Sequence, residues 1–457
     1  MNRPGLNRPQ RQNENEPEPM PPGLAARLLA TATVADVAAG RHTLDERFTG
    51  ESLALRAPQL DERDRALARS IATVSFRRLG SIRAALARFL DRGLPRKAVG
   101  LEWMLVTAAA QLLFMDVPDH AAVDLAVKAV RRDPKTAPFA SLANGVLRNL
   151  ARAKDELTTP DDPYVDTPAW LAARWRKHFG EDAALAIVAA HRLEPTLDVT
   201  VRSDPEDWAR RLGGVVLPTG SVRLDTHAPV SELDGYAEGG WWVQDAAAAL
   251  PARLLHVAAH ERVADLCAAP GGKAAQLAAS GARVAAVDKS AERLKRLAAN
   301  LTRLGLSAEI QVADALGYSA PAFDAVLLDA PCTATGTVRR HPDVAWTKRV
   351  ADVASLAAVQ SRMLDRAVSL TRPGGRLVYC ACSLEPEEGE AQITALLRRN
   401  PDVERWPIES DEIGGLADCL NEVGELRTLP SHLPNSDPRR AGLDGFFAAR
   451  LRRRGQG

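Results

Sequence analysis

The sequence predicts a multidomain chain: an all-α helical bundle, a small α+β connector and a C-terminal α/β domain on a mainly parallel sheet. Three observations carry this expectation. At 457 residues the chain is longer than a single hydrophobic core usually serves. Apolar residues recur at helical spacing from Leu24 to about Lys154. After Trp241, strand and helix patterns alternate, as they do where helices cover both faces of a parallel sheet.

Taken in order, residues 1–22 are rich in Asn, Arg, Glu and Pro with little to bury, and are expected to form a disordered tail. The bundle is expected over 23–155. Its helical stretches are "AARLLATATVADVAAG", "RALARSIATVSFRRLGSIRAALARFLDRGL" and "AVGLEWMLVTAAAQLLFM", punctuated by Gly93, Pro95 and Pro118. A shift to Pro, Asp and Thr in "ELTTPDDPYVDTP" marks a connection. The connector, 160–240, should hold a helical pair around Trp170 to His191 and a strand in "PTLDVTVRSD". Residues 241–454 form the α/β domain, with strands expected in "RVADLCA", "RVAAVD", "AEIQVAD", "FDAVLLDA" and "GRLVYCACS". Each ends in a polar or reactive residue. That places chemistry at the carboxyl ends of strands, where open α/β sheets bind ligands.

Bulk composition narrows the function class modestly. Five cysteines without framework spacing, and no apolar N-terminal leader, point to reduced thiols in a cytoplasmic protein. No apolar run reaches the length of a membrane span. The formal net charge is only +1, yet Asp61 to Asp155 holds 17 Lys and Arg against 10 Asp and Glu. A local surplus of this kind suits a phosphate backbone, and it equally suits a solvated, Arg-rich helical surface.

The first α/β strand runs into "CAAPGGK": Cys267, Ala268, Ala269, Pro270, Gly271, Gly272 and Lys273. Pro and two Gly make a turn whose backbone a ligand can approach closely. The pattern is neither the dinucleotide nor the Walker motif, so a pyrophosphate is not the favoured ligand. Asp288 closes the second strand, at the distance where a carboxylate meets ribose hydroxyls, and Asp314 closes the third, suited to an exocyclic amine. With Asp329 they make three acids on strand ends. The set describes S-adenosylmethionine, although each Asp singly also reads as a helix N-cap or turn residue.

Two cysteines lie just past strand ends facing that crevice, Cys332 in "LLDAPCTATG" and Cys382 in "YCACSLEPEE". Cys380 shares a face with Cys382 but lies deeper in the sheet, as a buried apolar residue does. Carbon 5 of cytosine is too poor a nucleophile to take a methyl group directly. A thiolate that adds to carbon 6 activates it, and a carboxyl group such as Asp329 can assist at ring nitrogen 3. An inert buried cysteine is the rival reading for Cys382. A metal site is not expected, because no further Cys or His cluster completes four ligands.

The motifs "DLCAAPGGK", "LLDAPCTATGTVRRHPD", "YCACSLEPEE" and "GLDGFFAARL", in that order, with "WWVQDAAA" before them, resemble the Fmu/Sun family of bacterial ribosomal RNA (cytosine-5)-methyltransferases. The resemblance covers nearly the whole chain after the tail. It implies a Rossmann-like class I methyltransferase domain, Cys382 as nucleophile, Cys332 as the thiol that helps release product, and cofactor contacts from Cys267 to Lys273, Asp288, Asp314 and Asp329, with Asp329 also meeting the base. "SLANGVLRNL" and "DERDRALARSIATVSFRRL" resemble the NusB-like RNA-binding domain, which implies a small-subunit ribosomal RNA substrate, with the basic surplus contacting phosphates. Arg339, Arg340 and His341 are expected to clamp the strand near the target. A monomer without metal is expected. Where the family usually has Thr-Cys-Ser, this chain has Ala381 before Cys382, which puts rate in doubt more than reaction type. Two alternatives stay open: a methyltransferase of transfer RNA or DNA cytosine, and a catalytically silent RNA-binding ribosome-assembly factor.

Overall fold

The computed structural model describes residues 20–49, 53, 57, 60–90, 92–95, 97–158 and 161–455. All but the last three residues of the expected tail lie outside these. The chain divides into two compact units, the first made of residues up to Asp36, Leu44–Ser75 and Ile82–Thr158, the second of Val37–Thr43, Phe76–Ser81 and everything from Thr159.

Among its described residues the first unit holds helices and no strand. Its centre is the helix Leu101–Phe114, "LEWMLVTAAAQLLF", which is apolar all round and buried along most of its length, as such a helix must be. Its buried polar side chains bond within the helix: Thr107 Oγ1 donates to the Trp103 carbonyl and Gln111 Nε2 to that of Thr107, both at 2.9 Å. The neighbouring helices Asp119–Arg132 and Ala140–Arg152 are amphipathic. They bury Val123, Ala126, Val127 and Val130 in one, and Ala143, Val146, Leu147 and Leu150 in the other, each set at the three- and four-residue spacing of a single helix face. The stretch read as one run through "VSFRRLGSI" is two helices, Glu62–Arg77 and Leu79–Ala87.

In the second unit the helices Ala169–Phe179 and Glu181–His191 precede a small antiparallel sheet. Its strands β1 (Leu197–Val201), β2 (Val215–Val216), β3 (Val222–Leu224) and β4 (Trp241–Val243) lie in the order β2-β3-β1-β4. β4 carries this sheet past Gly240, so "WWVQ" begins as an edge strand of the connector. The connector and the α/β part form one compact unit for an electrostatic reason. Asp198 on β1 and Arg223 on β3 make a two-pronged pair at 2.7 Å, both side chains about 2% exposed. The free valences of that pair reach across: Ala246 N donates to Asp198 Oδ2 and Arg223 Nη1 to the Arg440 carbonyl.

The α/β part is an eight-stranded sheet of β5 (Arg262–Leu266), β6 (Arg283–Asp288), β7 (Glu309–Val312), β8 (Phe323–Asp329), β9 (Thr371–Ala381), β10 (Val403–Arg405), β11 (Leu426–Thr428) and β12 (Phe446–Arg453). The order is β10-β12-β9-β8-β5-β6-β7, with β11 paired to β12. β5 to β9 are parallel neighbours and β10 to β12 pair antiparallel. The five expected strands are present. The antiparallel strands were not read, because "FFAARLRR" has no alternation to signal them: β12 buries its first six residues in succession between β9 and the outer strands. One face of the sheet carries Leu266, Val287, Val326, Leu328 and Tyr379 against the helices Val350–Leu370 and Glu390–Arg399. The other carries Val263, Val284, Leu327, Val378 and Cys380 toward the helices Leu250–Leu254 and Gly272–Ala279. From β5 the chain winds one way to β6 and β7, then returns to β8 and β9 on the other side. The crevice at that reversal lies beyond β5 and β8.

Candidate active site

β5 delivers the Cys267–Gly271 loop into the helix Gly272–Ala279. Two of its residues hold a left-handed backbone, Cys267 at φ 66° and Gly271 at φ 111°. A side chain at Gly271 would come within 2.8 Å of Leu297 Cγ, so the turn admits only glycine. Asp288, buried at the end of β6, ties the loop down. Its carboxylate accepts from Ala269 N at 3.2 Å, Ser290 N at 2.9 Å and Arg293 Nη1 at 3.3 Å. Asp314, beyond β7, is exposed, and its Oδ1 accepts from Leu316 N at 3.0 Å.

Two further acids stand near this loop on neighbouring strands. Asp329, last residue of β8, accepts Lys273 Nζ at 2.8 Å and the Cys380 thiol at 3.4 Å. Asp265 on β5 is fully buried, and neither of its carboxylate oxygens has a hydrogen-bond partner. Burial first, then the negative charges of Asp329 and Asp288, push its carboxyl up to about 8. The same field acts on Cys267, whose thiol is pushed up to about 12 by burial and by Asp329, Asp288 and Asp265. Lys273 is the compensating charge. Burial alone would lower its ammonium, but Asp329 raises it above the usual lysine range.

The thiols sit one strand further on. Cys332 follows β8 by three residues and Cys382 directly follows β9, and their sulfur atoms are 3.5 Å apart. The two thiols share a hydrogen bond, and this bond together with burial holds the Cys332 thiol well above its ordinary range. Cys380 is completely buried. Burial and the Asp329 charge raise its thiol too, so it stays neutral. Backbone joins the loops: Gly336 N donates to the Cys382 carbonyl at 3.1 Å, and Gly445 N to the Gly336 carbonyl at 2.8 Å. A Cβ on Gly336 would stand 1.8 Å from the Gly445 oxygen, which is why "TATGT" and "LDGFF" carry glycine at the crossing. Ala381 is buried opposite Phe447, and none of these bonds calls for a hydroxyl at its position.

Sequence reasoning missed the residues that hold the thiol loops. Glu388 is fully buried and accepts from Thr333 and Ser383, the residues that follow the two cysteines. An acid in "EPEE" reads as solvent-exposed, so the only available signal was its place inside a motif. Arg340 bonds Asp444 through Nε at 2.8 Å and lies 4.0 Å from Asp245. Burial pushes the Asp444 carboxyl up to about 6 against the pull of Arg340. The expected strand clamp needs correction at Arg339. That side chain is 4% exposed and donates to the Ala441 carbonyl at 2.8 Å, so it braces the fold instead of meeting a phosphate. Among the described residues no group of three or more His, Cys, Asp or Glu could hold a metal ion, and no helix is long and apolar enough to cross a membrane.

A parallel sheet with a glycine turn after its first strand and two thiols in contact beyond its middle strands defines a methyltransferase of the Rossmann-like class. Comparison with known proteins narrows this. A model of the 16S rRNA methyltransferase RsmB/F family matches residues 252–452, and one of the NusB family matches residues 24–152. Ribosomal RNA small subunit methyltransferase B of Xylella fastidiosa (strain Temecula1) is 37% identical over 94% of this chain and 99% of its own length. The Cronobacter sakazakii protein of the same description is 34% identical, covering 88% and 94%. The solved structure of PH0851 covers 95% of this chain and 99% of its own at a TM-score of 0.71 and 22% identity, a likeness of fold. The chain belongs to the RsmB/F family of 16S rRNA methyltransferases.

The cofactor is S-adenosylmethionine, and the residues present fit it. The glycine turn leaves room for a ligand against backbone. The acids of the crevice, one of them buried without a partner, favour the positive sulfonium and ammonium groups of this cofactor and disfavour a pyrophosphate.

Proposed function

We propose that this chain methylates carbon 5 of a cytosine in small-subunit ribosomal RNA through a transient bond between Cys382 Sγ and carbon 6 of the ring. The observation that carries the reading is the pair of thiols 3.5 Å apart beyond adjacent parallel strands, next to the Asp329 carboxyl. S-adenosylmethionine, when bound, supplies a methyl group made electrophilic by its sulfonium. Everything else falls to the chain. Cys382 adds to carbon 6 and moves electron density onto carbon 5. Asp329, steadied by Lys273, acts as general acid and donates a proton to ring nitrogen 3 as that density shifts. Cys332 assists release: after methyl transfer a solvent base takes the proton from carbon 5, those electrons restore the double bond to carbon 6, the bond from carbon 6 to Sγ breaks with its pair on sulfur, and the Cys332 S–H donates to that sulfur. Cys380 takes no part, being sealed in the sheet on Asp329.

In this reading Cys267, Ala268, Ala269, Pro270, Gly271, Gly272 and Lys273 line the cofactor site with Asp288, Asp314 and Asp329. Residues 241–454 catalyse, 160–240 brace that part at Ala246 and Arg440 through the Asp198–Arg223 pair, and 23–155 position RNA through phosphate contacts. The target cytosine leaves its stack to reach the thiol, which favours a loop or bulge in the RNA. The enzyme acts as a cytoplasmic monomer, and its five cysteines are free thiols. The test replaces each thiol separately. With RNA carrying 5-fluorocytosine, Cys382→Ala should form no denaturant-stable adduct and Cys332→Ala should form it readily. The reverse pattern would make Cys332 the nucleophile.

A further inference from the structure

One side chain touches both thiol loops. Glu388 lies in the short turn Pro386–Glu388 after Cys382, with its backbone carbonyl fixed by the Tyr379 hydroxyl at 2.7 Å. Its Oε1 accepts from Thr333 N at 2.9 Å and Gln360 Nε2 at 3.1 Å. Its Oε2 accepts from Ser383 Oγ at 2.6 Å and from Thr333 Oγ1. The Ser383 hydroxyl has its proton aimed at Glu388, because its oxygen already receives Glu385 N at 3.0 Å. Gln360, from the helix Val350–Leu370, uses the same amide nitrogen to hold the Pro331 carbonyl at 2.9 Å. Cys332 is thus gripped on both flanks, at Pro331 and Thr333, and Cys382 on its C-terminal flank at Ser383. All of these grips converge on one carboxylate that is completely buried. A buried acid costs stability unless its oxygens are filled. Here donors from β8's loop, β9's loop and a helix fill them, so the two oxygens dictate where both loops stand. A core acid serving the fold alone would have no reason to select the residue after each cysteine.

We propose that Glu388 is the positioning residue that sets the spacing of Cys332 and Cys382, with the hydroxyls of Thr333 and Ser383 as its levers. This rests on the reading that both thiols serve the reaction, but the geometry is testable apart from it. A trivalent arsenical such as phenylarsine oxide bridges two thiols only when they stand in contact. It should bind the wild-type enzyme tightly, and binding should be lost in Cys332→Ala and in Cys382→Ala. Glu388→Ala should weaken arsenical binding at least about tenfold and lower kcat for methyl transfer about 100-fold, the scale of a misplaced reacting group, with KM for RNA changed less than about threefold. Glu388→Gln keeps an acceptor for Thr333 N and Gln360 but loses the one for the two hydroxyls, and should fall between alanine and wild type in both. If Glu388→Ala fails to fold, the pair Thr333→Val and Ser383→Ala removes the levers and should weaken the arsenical in the same way. Wild-type arsenical affinity in the alanine variant, or a glutamine variant no better than alanine, overturns the proposal. Weakened arsenical binding with undiminished methylation supports the clamp while sinking the cysteine mechanism it was built to serve.

Discussion

Asp265 and Glu388 are both fully buried carboxyl groups at the ligand edge of one sheet, yet the fold treats them oppositely. Glu388 receives donors from three residues, and its carboxyl is raised by burial with every one of those bonds pulling the other way. Asp265 receives none, and burial with neighbouring negative charge pushes it to about 8. The difference separates scaffold from site. A saturated acid specifies one arrangement of the chain around it, which is what two loops that must keep their sulfur atoms in register need. An unsaturated acid keeps its proton while the crevice holds no cation. A positive group bound beside the glycine turn would favour the ionised carboxylate, and a sulfonium cofactor brings one.

The contrast can be broken or sharpened by substitution, and the largest effect should come from the acid between the two regions. Asp329→Ala should lower kcat by about 10²–10⁴, the usual range for a lost general acid–base group. The variant leaves buried Lys273 without its partner, so its folding is confirmed by denaturant unfolding before kcat is compared. A loss under tenfold, measured with labelled cofactor and undermodified small-subunit RNA, would remove Asp329 from the chemistry.

Next in size is the buried pair that joins the connector to Ala246 and Arg440. Asp198→Ala strands Arg223 without its partner at 2% exposure and should cost about 3–5 kcal/mol in denaturant unfolding. A change below about 1 kcal/mol would mean that water or rearrangement satisfies Arg223. Smaller still is a cofactor effect. Saturating wild type with S-adenosylmethionine at about 100 times its Kd should add about 2.7 kcal/mol of stability. Asp265→Asn should reduce that gain, and Glu388→Gln should leave it intact. Equal gains in all three proteins would show that the unpaired acid does nothing for the cofactor.

A further effect is a slope. Unfolded Asp265 loses its proton near pH 4, while folded Asp265 keeps it to about 8. The folded state holds the extra proton across that window, so this residue makes stability fall as pH rises from about 4 to about 8. Asp265→Asn removes the dependence. The stability of the variant relative to wild type should climb by at most about 1.4 kcal/mol per pH unit in that window and level off above it. Parallel pH profiles for the two proteins would contradict the elevated carboxyl.

Much of the frame was legible because its signals are local. Parallel strands buried on both faces leave apolar runs, and Cys332, Cys382, Asp288 and Asp329 each stand just past or at the end of one. What escaped is what only distant pairing creates. β12 alternates nothing, since both its faces are covered. Glu388 and Arg339 carry charge yet are buried, so residue type alone sends both to the surface. The orphaned state of Asp265 is a property of its surroundings and cannot be written in "VADLC". The two cysteines were predicted to share a crevice from strand ends alone, but their contact depends on Gly336 meeting Gly445 across more than a hundred residues of sequence.

The most direct test of the account is to trap the enzyme on RNA containing 5-fluorocytosine, digest both, and sequence the cross-linked peptide by mass spectrometry. The account predicts a nucleotide on Cys382, in the peptide that carries "VYCACSLEPEE". A nucleotide on Cys332, or on no cysteine at all, would contradict it.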